Sequence, residues 1–363
     1  MEYQKNDARV RNSKTKEIDE ELERIVSQKG ASIKVVGVGG GGNNTISRMY
    51  EIGIKGVELI AVNTDAAHLL ITQADNKILI GKDLTQGLGA GADPRIGREA
   101  AKEQLNDIKK ALKGSDMVFV TCGLGGGTGT GAAPIIAEAS KSLGILTVAV
   151  VTLPFSVEGK ARMENAMDGL ERLEEVCDTI IVIPNDKLLS LVPDLPLTTA
   201  FRVADEILTN AVKGIAELVT TSGLVNLDFA DIKAVMSEGG VAMIGVGESD
   251  SENRAIEAVN KAINNPLLDV DISQATGALI NITGGPDMTL DEANKIVKIV
   301  TDKLSEDAKV IFGARLVPDM KKAIRVTLIV TGVTSPQIYG KDKEIEAKKR
   351  EEIGNELGIE YIK

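Results

Sequence analysis

The apolar residues in the first half of the chain form short runs that alternate with longer amphipathic stretches. The runs are rich in Val, Ile and Leu, which is typical of buried strands, and the stretches between them have helical spacing. We predict strands at Ile33–Val38, Val57–Val62, Lys77–Ile80, Met117–Thr121, Leu146–Thr152 and Thr179–Ile183, and helices from the glycines near 42 to about Ile52, at Arg95–Leu112, Ala132–Leu143 and Glu158–Val176. Strands that alternate with helices in this way predict a doubly wound parallel sheet.

A long amphipathic helix, predicted at Thr199–Thr221, separates this part from a differently patterned one. The polar stripe of the helix consists of Arg202, Asp205, Glu206, Thr209 and Lys213. Beyond it we predict helices at 229–237, 252–264 and Leu290–Leu304, and strands at Val241–Val246, Ala278–Thr283, Lys309–Leu316 and Ala323–Thr331. The two successive strands at the end favour a smaller α+β domain. The expected α/β chain therefore has an extension (1–30), a sheet domain (31–198), a connecting helix (199–222), an α+β domain (223–335) and a charged tail (336–363).

Composition narrows the possible functions. The formal net charge of −11 argues against a nucleic-acid partner, because binding a phosphate backbone requires a basic face. A single histidine, His68, makes zinc sites and His-based triads poor hypotheses. Cys122 and Cys177 suggest no disulfide framework and fit a reducing cytoplasm. No apolar run approaches the length of a membrane span, so we expect no direct membrane insertion.

The most informative stretch lies between a predicted strand and a predicted helix, at residues 123–131, where six of nine residues are glycine. A glycine turn that leads into a helix N-terminus presents backbone N–H groups and the positive end of the helix dipole to an anion. A tight turn alone would need only one or two glycines. The glycine stretch that comes first along the chain, Gly37–Gly42, also follows a strand and satisfies the G-x-G-x-x-G pattern of dinucleotide sites, and residues 123–131 form the second stretch.

The two glycine stretches are compatible with more than one kind of nucleotide. An NAD-dependent oxidoreductase would use the first stretch, but it does not need a second phosphate cradle. Two cradles indicate a longer phosphate chain. The P-loop pattern is absent because no lysine follows either glycine stretch. A triphosphate would therefore be neutralised by backbone N–H groups, helix dipoles and Mg²⁺.

The glycine signature, Gly123-Leu-Gly-Gly-Gly-Thr-Gly-Thr-Gly131, resembles that of the tubulin/FtsZ family of GTPases. Four flanking segments resemble the same family in the same order: Gly87–Pro94, Pro154–Arg162, Ile183–Lys187 and Asn226–Asp231. The resemblance covers about residues 32–335 and implies a filament-forming cell-division GTPase that binds GTP or GDP. It implies phosphate contacts at Gly40, Gly41, Gly42, Asn43, Asn44, Gly126, Gly127, Thr128, Gly129 and Thr130, with Ala90, Gly91 and Ala92 closing on the γ-phosphate.

The resemblance also implies the sugar and base contacts. Glu158 would bind the ribose hydroxyls and Arg162 would donate to the nucleotide, although an exposed ion pair at this spacing is common. Asn185 would pair with a base edge or form an ordinary turn. Asp205 would accept from N1–H and the 2-amino group of guanine, donors that adenine lacks. Phe201 would stack on the base or belong to the core.

Three further residues are candidates for a role in GTP hydrolysis: Asn226, Asp228 and Asp231. The two acids could simply cap and start the next helix. They follow the end of the long helix, however, roughly 30 Å from Asp205 near its start, so they cannot reach a nucleotide bound there in the same molecule. The family resemblance implies that they act on the GTP of the next subunit in a head-to-tail filament. A filament scaffold that does not hydrolyse GTP remains an alternative.

Two parts of the sequence, Asp93 and the C-terminal tail, each have two alternative roles. Asp93 stands where the family has Asn, and it would either cap the following helix or face Mg²⁺. The tail ends in Gly358-Ile-Glu-Tyr-Ile-Lys363 and would either bind a membrane-anchoring division protein or form a loose end. With these partners we expect a cytoplasmic protein concentrated at the mid-cell division site.

Overall fold

The computed structural model describes residues 31–54, 56–187, 197–220, 228–237, 239–265, 267 and 270–333. The chain divides into two compact units, Met1–Ala31 and Ser32–Lys363, and every element below lies in the second. The predictions for the extension (1–30), for the tail (336–363) and for Asn226 fall outside the described residues.

The first six strands form the predicted parallel sheet. They are β1 (Ile33–Val38), β2 (Val57–Asn63), β3 (Asn76–Leu79), β4 (Met117–Gly123), β5 (Leu146–Leu153) and β6 (Thr179–Pro184), in the order β3-β2-β1-β4-β5-β6. Every residue of β5 is buried, as expected for a parallel strand that helices cover on both faces. Successive residues such as Val35 and Val36 enter different hydrophobic cores because side chains alternate between the two faces.

The helices confirm most of the predicted pattern. They are α1 (Gly39–Ile52), α2 (Ala66–Ile71), α3 (Lys82–Thr85), α4 (Pro94–Glu103), α5 (Leu105–Leu112), α6 (Thr128–Ser142), α7 (Lys160–Val176), α8 (Leu197–Thr220), α9 (Phe229–Met236), α10 (Arg254–Ile263) and α11 (Leu290–Thr301). The single helix predicted at Arg95–Leu112 is wrong. It breaks at Gln104, whose side chain accepts a hydrogen bond from the Gly81 N–H. The short helices α2 and α3 were not predicted, and α1 and α6 begin inside or directly after the glycine stretches.

The second half extends the same sheet. Its strands are β7 (Gly240–Ser249), β8 (Gly277–Gly284), β9 (Lys309–Leu316) and β10 (Ile324–Thr331). Strand β7 pairs in parallel with β6, and β10 lies between β7 and β8, antiparallel to both. The two successive strands at the end therefore do not pair with each other. The predicted fold class is confirmed, with all ten strands in one mixed sheet.

Helix α8 connects the two halves and is about 36 Å long for its 24 residues. It buries Leu208, Ala211 and Ile215. The assignment of Thr209 to the polar stripe is wrong, because this side chain is fully buried where α8 packs against both α1 and the sheet. In the described ranges, no helix combines the length and apolarity needed to cross a membrane.

Candidate functional site: two glycine-lined helix N-termini

Two helix N-termini lie side by side at the carboxyl edge of the parallel strands. Strands β1 and β4 are neighbours, with Gly37 opposite Thr121, and each leads into a glycine stretch and then a helix. Neither α1 nor α6 has a side-chain hydrogen bond at its N-cap or an acidic residue in its first turn. Their first N–H groups therefore have no side-chain acceptor, and both helix dipoles favour an anion at this edge.

The glycines of this edge fall into two groups. A Cβ atom at Gly39 would lie 2.8 Å from the Gly129 nitrogen, and one at Gly127 would lie 2.9 Å from the Asp93 nitrogen. These positions need glycine because the loops pack backbone against backbone. A Cβ atom at Gly40, Gly91 or Gly126 would meet nothing within 4 Å. Three of the glycines predicted to contact phosphate thus face open space, whereas the other four, Gly41, Gly42, Gly127 and Gly129, pack against neighbouring backbone.

The segment 90–93 approaches the second glycine stretch. Ala90 is buried, whereas Gly91 and Ala92 are exposed and both have a positive φ. Asp93 is the N-cap of α4: its Oδ1 accepts from the Arg95 N–H at 2.8 Å, and the Arg95 guanidinium donates to both carboxylate oxygens. These bonds hold the pKa of Asp93 below its ordinary value. Of the two roles considered for Asp93, the structure shows the helix cap.

Two residues predicted to contact phosphate support the loops with their side chains, and their phosphate contacts stay predictions. The Thr130 side chain is buried, and its hydroxyl accepts from the Gly125 N–H at 2.9 Å, within the glycine stretch. Asn43 is fully buried, and with its amide oriented to satisfy its neighbours it donates to the Gly37 carbonyl at 3.0 Å. Thr128 is half-buried and shares a hydrogen bond with the Thr64 hydroxyl at 2.6 Å. For Thr130 and Asn43 the sequence located the site but did not reveal which way the side chains point.

Glu158 and Arg162 form an ion pair of 3.2 Å beside the same stretch. The prediction that both lie on one helix is wrong, because Glu158 ends a 3₁₀ turn and Gly159, with φ of 99°, separates it from α7. A Cβ atom at Gly125 would lie 2.7 Å from the Arg162 carbonyl oxygen, so this segment packs directly against the glycine stretch. About half of the Arg162 side chain stays exposed.

At two residues predicted to contact the base, the hydrogen-bond acceptors are poorly satisfied. Asn185 directly follows β6, is 5% exposed, and its Oδ1 has no partner among the described residues. Asp205 lies on α8, and burial raises its pKa to about 6, against the opposing effects of a hydrogen bond from Thr45 and the charge of Arg48. Buried acceptors without enough donors lower the stability of the folded protein unless a ligand donates to them. The side chain of Phe201 lies outside the description.

Thr45 is a residue of this site that the sequence argument missed. Its hydroxyl lies 3.1 Å from the Gly41 carbonyl oxygen and 3.2 Å from Asp205 Oδ1. The only sequence signal is its spacing of four residues from Gly41, which places it one turn further along α1.

The acidic residues Asp228 and Asp231 lie elsewhere. Both are exposed at the start of α9, and the Asp228 N–H donates to Asp231 Oδ2 at 3.3 Å. The other end of α9 is fixed to the amino edge of the sheet, where the hydroxyl of Thr179, the first residue of β6, donates to the Met236 carbonyl. The described hydrogen bonds of these two acids join them to each other and to the start of α9, and none reaches a residue of the glycine cradle.

In the described part of the chain, no cluster of three or more His, Cys, Asp or Glu side chains could hold a metal ion. The cradle residues offer backbone N–H donors, which suit phosphate oxygens rather than a cation. The described cradle residues therefore fit the phosphates of a nucleotide, on which a magnesium ion would be carried.

Comparison with known proteins gives consistent matches over nearly the whole described chain. Residues 32–193 match the Tubulin/FtsZ family GTPase domain, and residues 240–334 match the FtsZ family C-terminal domain. The cell division protein FtsZ 1 of Archaeoglobus fulgidus is 55% identical over 347 residues, which are 96% of this chain and 92% of that protein. The FtsZ 1 of Pyrococcus horikoshii is 62% identical over 318 residues, 88% of this chain and 85% of the relative.

Solved structures agree with these matches. An empty FtsZ dimer from M. jannaschii superposes with a TM-score of 0.84 at 59% identity, covering 87% of this chain and 92% of that one. CetZ2 from Haloferax volcanii, in a GTPγS-bound protofilament, superposes with a TM-score of 0.74 at 22% identity and covers 88% of this chain and 99% of its own. The latter likeness shows a shared fold only.

Proposed function

The chain belongs to the Tubulin/FtsZ family and is a GTPase, and from this premise we propose that it assembles head to tail into protofilaments that scaffold the division ring. The observation that carries the proposal is the separation of two functional parts. The uncapped glycine-lined helix N-termini lie at one edge of the sheet, and the exposed pair Asp228 and Asp231 belongs to a helix anchored at the other.

The glycine cradle would bind the phosphates of GTP through the free N–H groups of α1 and α6, with Gly40, Gly91 and Gly126 against the ligand. Mg²⁺ bound to the phosphates would neutralise part of their charge. Asn185 and Asp205 would supply acceptors for the base: guanine carries donors at N1–H and the 2-amino group, whereas adenine has an acceptor at N1 and no donor at C2. This pairing would select GTP over ATP.

Hydrolysis would be completed between subunits. Asp228 and Asp231 of one subunit accept hydrogen bonds from a water molecule at the cradle of the next, and Asn226, two residues before Asp228 in the sequence, belongs to the same proposed set. The water oxygen bonds to the γ-phosphorus while the bond from phosphorus to the β–γ bridging oxygen breaks, giving GDP and phosphate. A contact that joins opposite ends of identical subunits is heterologous and builds an open filament.

Further features support a subunit contact at the cradle. Leu70, Ile71 and Leu88 are each more than three-quarters exposed, and the Leu88 backbone pairs with Asp65 just before α2. Large apolar side chains grouped in this way are typical of interfaces. The M. jannaschii FtsZ relative is described as a dimer. The proposal places the filament in the cytoplasm at mid-cell, with the tail (336–363) binding a membrane-anchoring division protein.

A mixing experiment tests hydrolysis between subunits. Asp228→Ala keeps an intact cradle and Asp205→Ala keeps intact acids, so each variant alone should release little phosphate. In an equal mixture, about a quarter of random junctions join an intact cradle to intact acids, and turnover should recover to about that fraction of wild type. Asp291→Ala, which removes an exposed first-turn acid of α11, should leave turnover unchanged.

Two measurements accompany the mixture. Sedimentation with GTP, GDP and ATP reports assembly and nucleotide choice, and we expect pelleting with GTP but not with ATP. If the mixture co-sediments yet stays inactive, or if dilute Asp228→Ala protein hydrolyses GTP at the wild-type rate, hydrolysis between subunits is refuted.

A further inference from the structure

We infer that Thr45 is a positioning residue that orients the Asp205 carboxylate toward the guanine base and couples it to the first glycine stretch. The inference rests on the proposed function, in which Asp205 reads the base. It goes beyond that function because Thr45 is not among the proposed contacts to base or phosphate: its side chain is fully buried and reaches both parts of the site from inside.

The geometry of the Thr45 hydroxyl carries the argument. One hydroxyl hydrogen is shared between the Gly41 carbonyl at 3.1 Å and Asp205 Oδ1 at 3.2 Å. Gly41 belongs to the first turn of α1, and a Cβ atom there would lie 3.3 Å from the Gly123 nitrogen of the second stretch. A single side chain thus connects the phosphate cradle to a carboxylate on α8, 160 residues away.

This contact leaves Asp205 the acceptor capacity that guanine needs. A carboxylate has about four lone-pair positions, and Thr45 occupies one of them on Oδ1. Terminal torsions of Asp are broad, so without a fixed partner the carboxylate would sample many orientations. With Oδ1 held, the carboxylate keeps one lone pair on Oδ1 and both on Oδ2 for the two donors of the guanine edge.

The charged groups around Asp205 determine how much the Thr45 hydrogen bond contributes to stabilising the ionised carboxylate. Arg48 and Glu51 from α1 and Arg202 from α8 line the same cleft, and Glu206 from α8 pairs with Arg48. Arg48 is held by Glu51 at 3.2 Å and by Glu206 at 3.0 Å, so much of its charge is already paired. The Thr45 hydroxyl is the hydrogen-bond donor to Asp205 within the described residues, and it opposes the rise in pKa that burial causes.

The test compares the affinities for GDP and IDP on dilute full-length protein, by competition with a fluorescent GDP, so that neither assembly nor hydrolysis intervenes. IDP lacks the 2-amino group. In Thr45→Val the pKa of Asp205 should rise by about one unit, and the preference for GDP over IDP should fall about threefold at pH 6.5, with its pH midpoint displaced upward. Thr45→Ser should restore both values.

Thr72→Val provides the matched control, because that buried hydroxyl also bonds the carbonyl four residues earlier, at 2.8 Å, without touching Asp205. It should leave the preference and its midpoint unchanged. If Thr45→Val lowers the affinities for GDP and IDP equally, or keeps the wild-type midpoint, Thr45 is a packing residue and the inference is wrong. If wild type itself does not prefer GDP, or Asp205→Asn keeps the preference, base reading by Asp205 fails instead.

Discussion

The raised pKa of Asp205 predicts that a residue proposed to select the nucleotide destabilises the empty protein. Burial raises this pKa from 3.8 to about 6. A difference of two pKa units corresponds to about 3 kcal/mol at a pH above both values. Asparagine has nearly the same shape, can still accept from Thr45, and carries no charge to desolvate. Asp205→Asn should therefore increase the free energy of unfolding by about 3 kcal/mol near pH 7.5 in the absence of nucleotide.

The stability difference between wild type and Asp205→Asn depends on pH in a definite direction. Between pH 3.8 and 6 the unfolded chain has released the Asp205 proton while the folded chain retains it, so wild type loses stability as the pH rises through this window. The free energy of unfolding of Asp205→Asn should exceed that of wild type by about 1 kcal/mol at pH 4.5 and by about 3 kcal/mol at pH 7.5. Below pH 3.8 it should vanish, since both states are then protonated.

Urea denaturation of nucleotide-free protein at several pH values measures the difference. Glu206→Gln is the control, because it removes a neighbouring carboxylate that is half exposed, and it should show little change and no comparable trend. Saturating GDP should reverse the order of the two proteins, since wild type gains more from the ligand. A difference that does not vary with pH, or a less stable Asn variant without nucleotide, would refute the argument from burial.

Three further outcomes are expected. Gly126→Ala should fold normally, because a Cβ atom there meets nothing within 4 Å, but bind GDP more weakly. Gly129→Ala should lower the melting temperature, because its Cβ atom would lie 2.9 Å from the Gly123 oxygen. Equal melting temperatures of the two variants would contradict the packing argument. Arg254 holds the pKa of Glu292 at about 2, so Arg254→Met should destabilise the protein at pH 7 and less so at pH 3, as measured by thermal melts. Both cysteine thiols are buried with raised pKa values, so they should react with a thiol reagent only after denaturation.

The sequence by itself determined the elements and the place of the site. Apolar runs such as Leu146–Thr152 identified strands because a strand buried on both faces has little polar content. The glycine stretches after β1 and β4 identified the cradle, because the carboxyl ends of parallel strands share one edge. The family resemblance, which supplied the identity of the nucleotide, followed from these same residues and is confirmed by the family matches.

Only the tertiary structure decided where individual side chains point. Thr130 and Thr209 read as polar residues available to ligand or solvent, but neighbouring elements bury both. Gln104 lies between two helices, and its side chain accepts from Gly81, which is distant in sequence. Strand β10 separates β8 from β7, an order that no local pattern specifies. Propensity and periodicity arise within a few residues of the chain, whereas burial and hydrogen-bond partners depend on elements that meet only after folding, and Thr45 was missed for that reason.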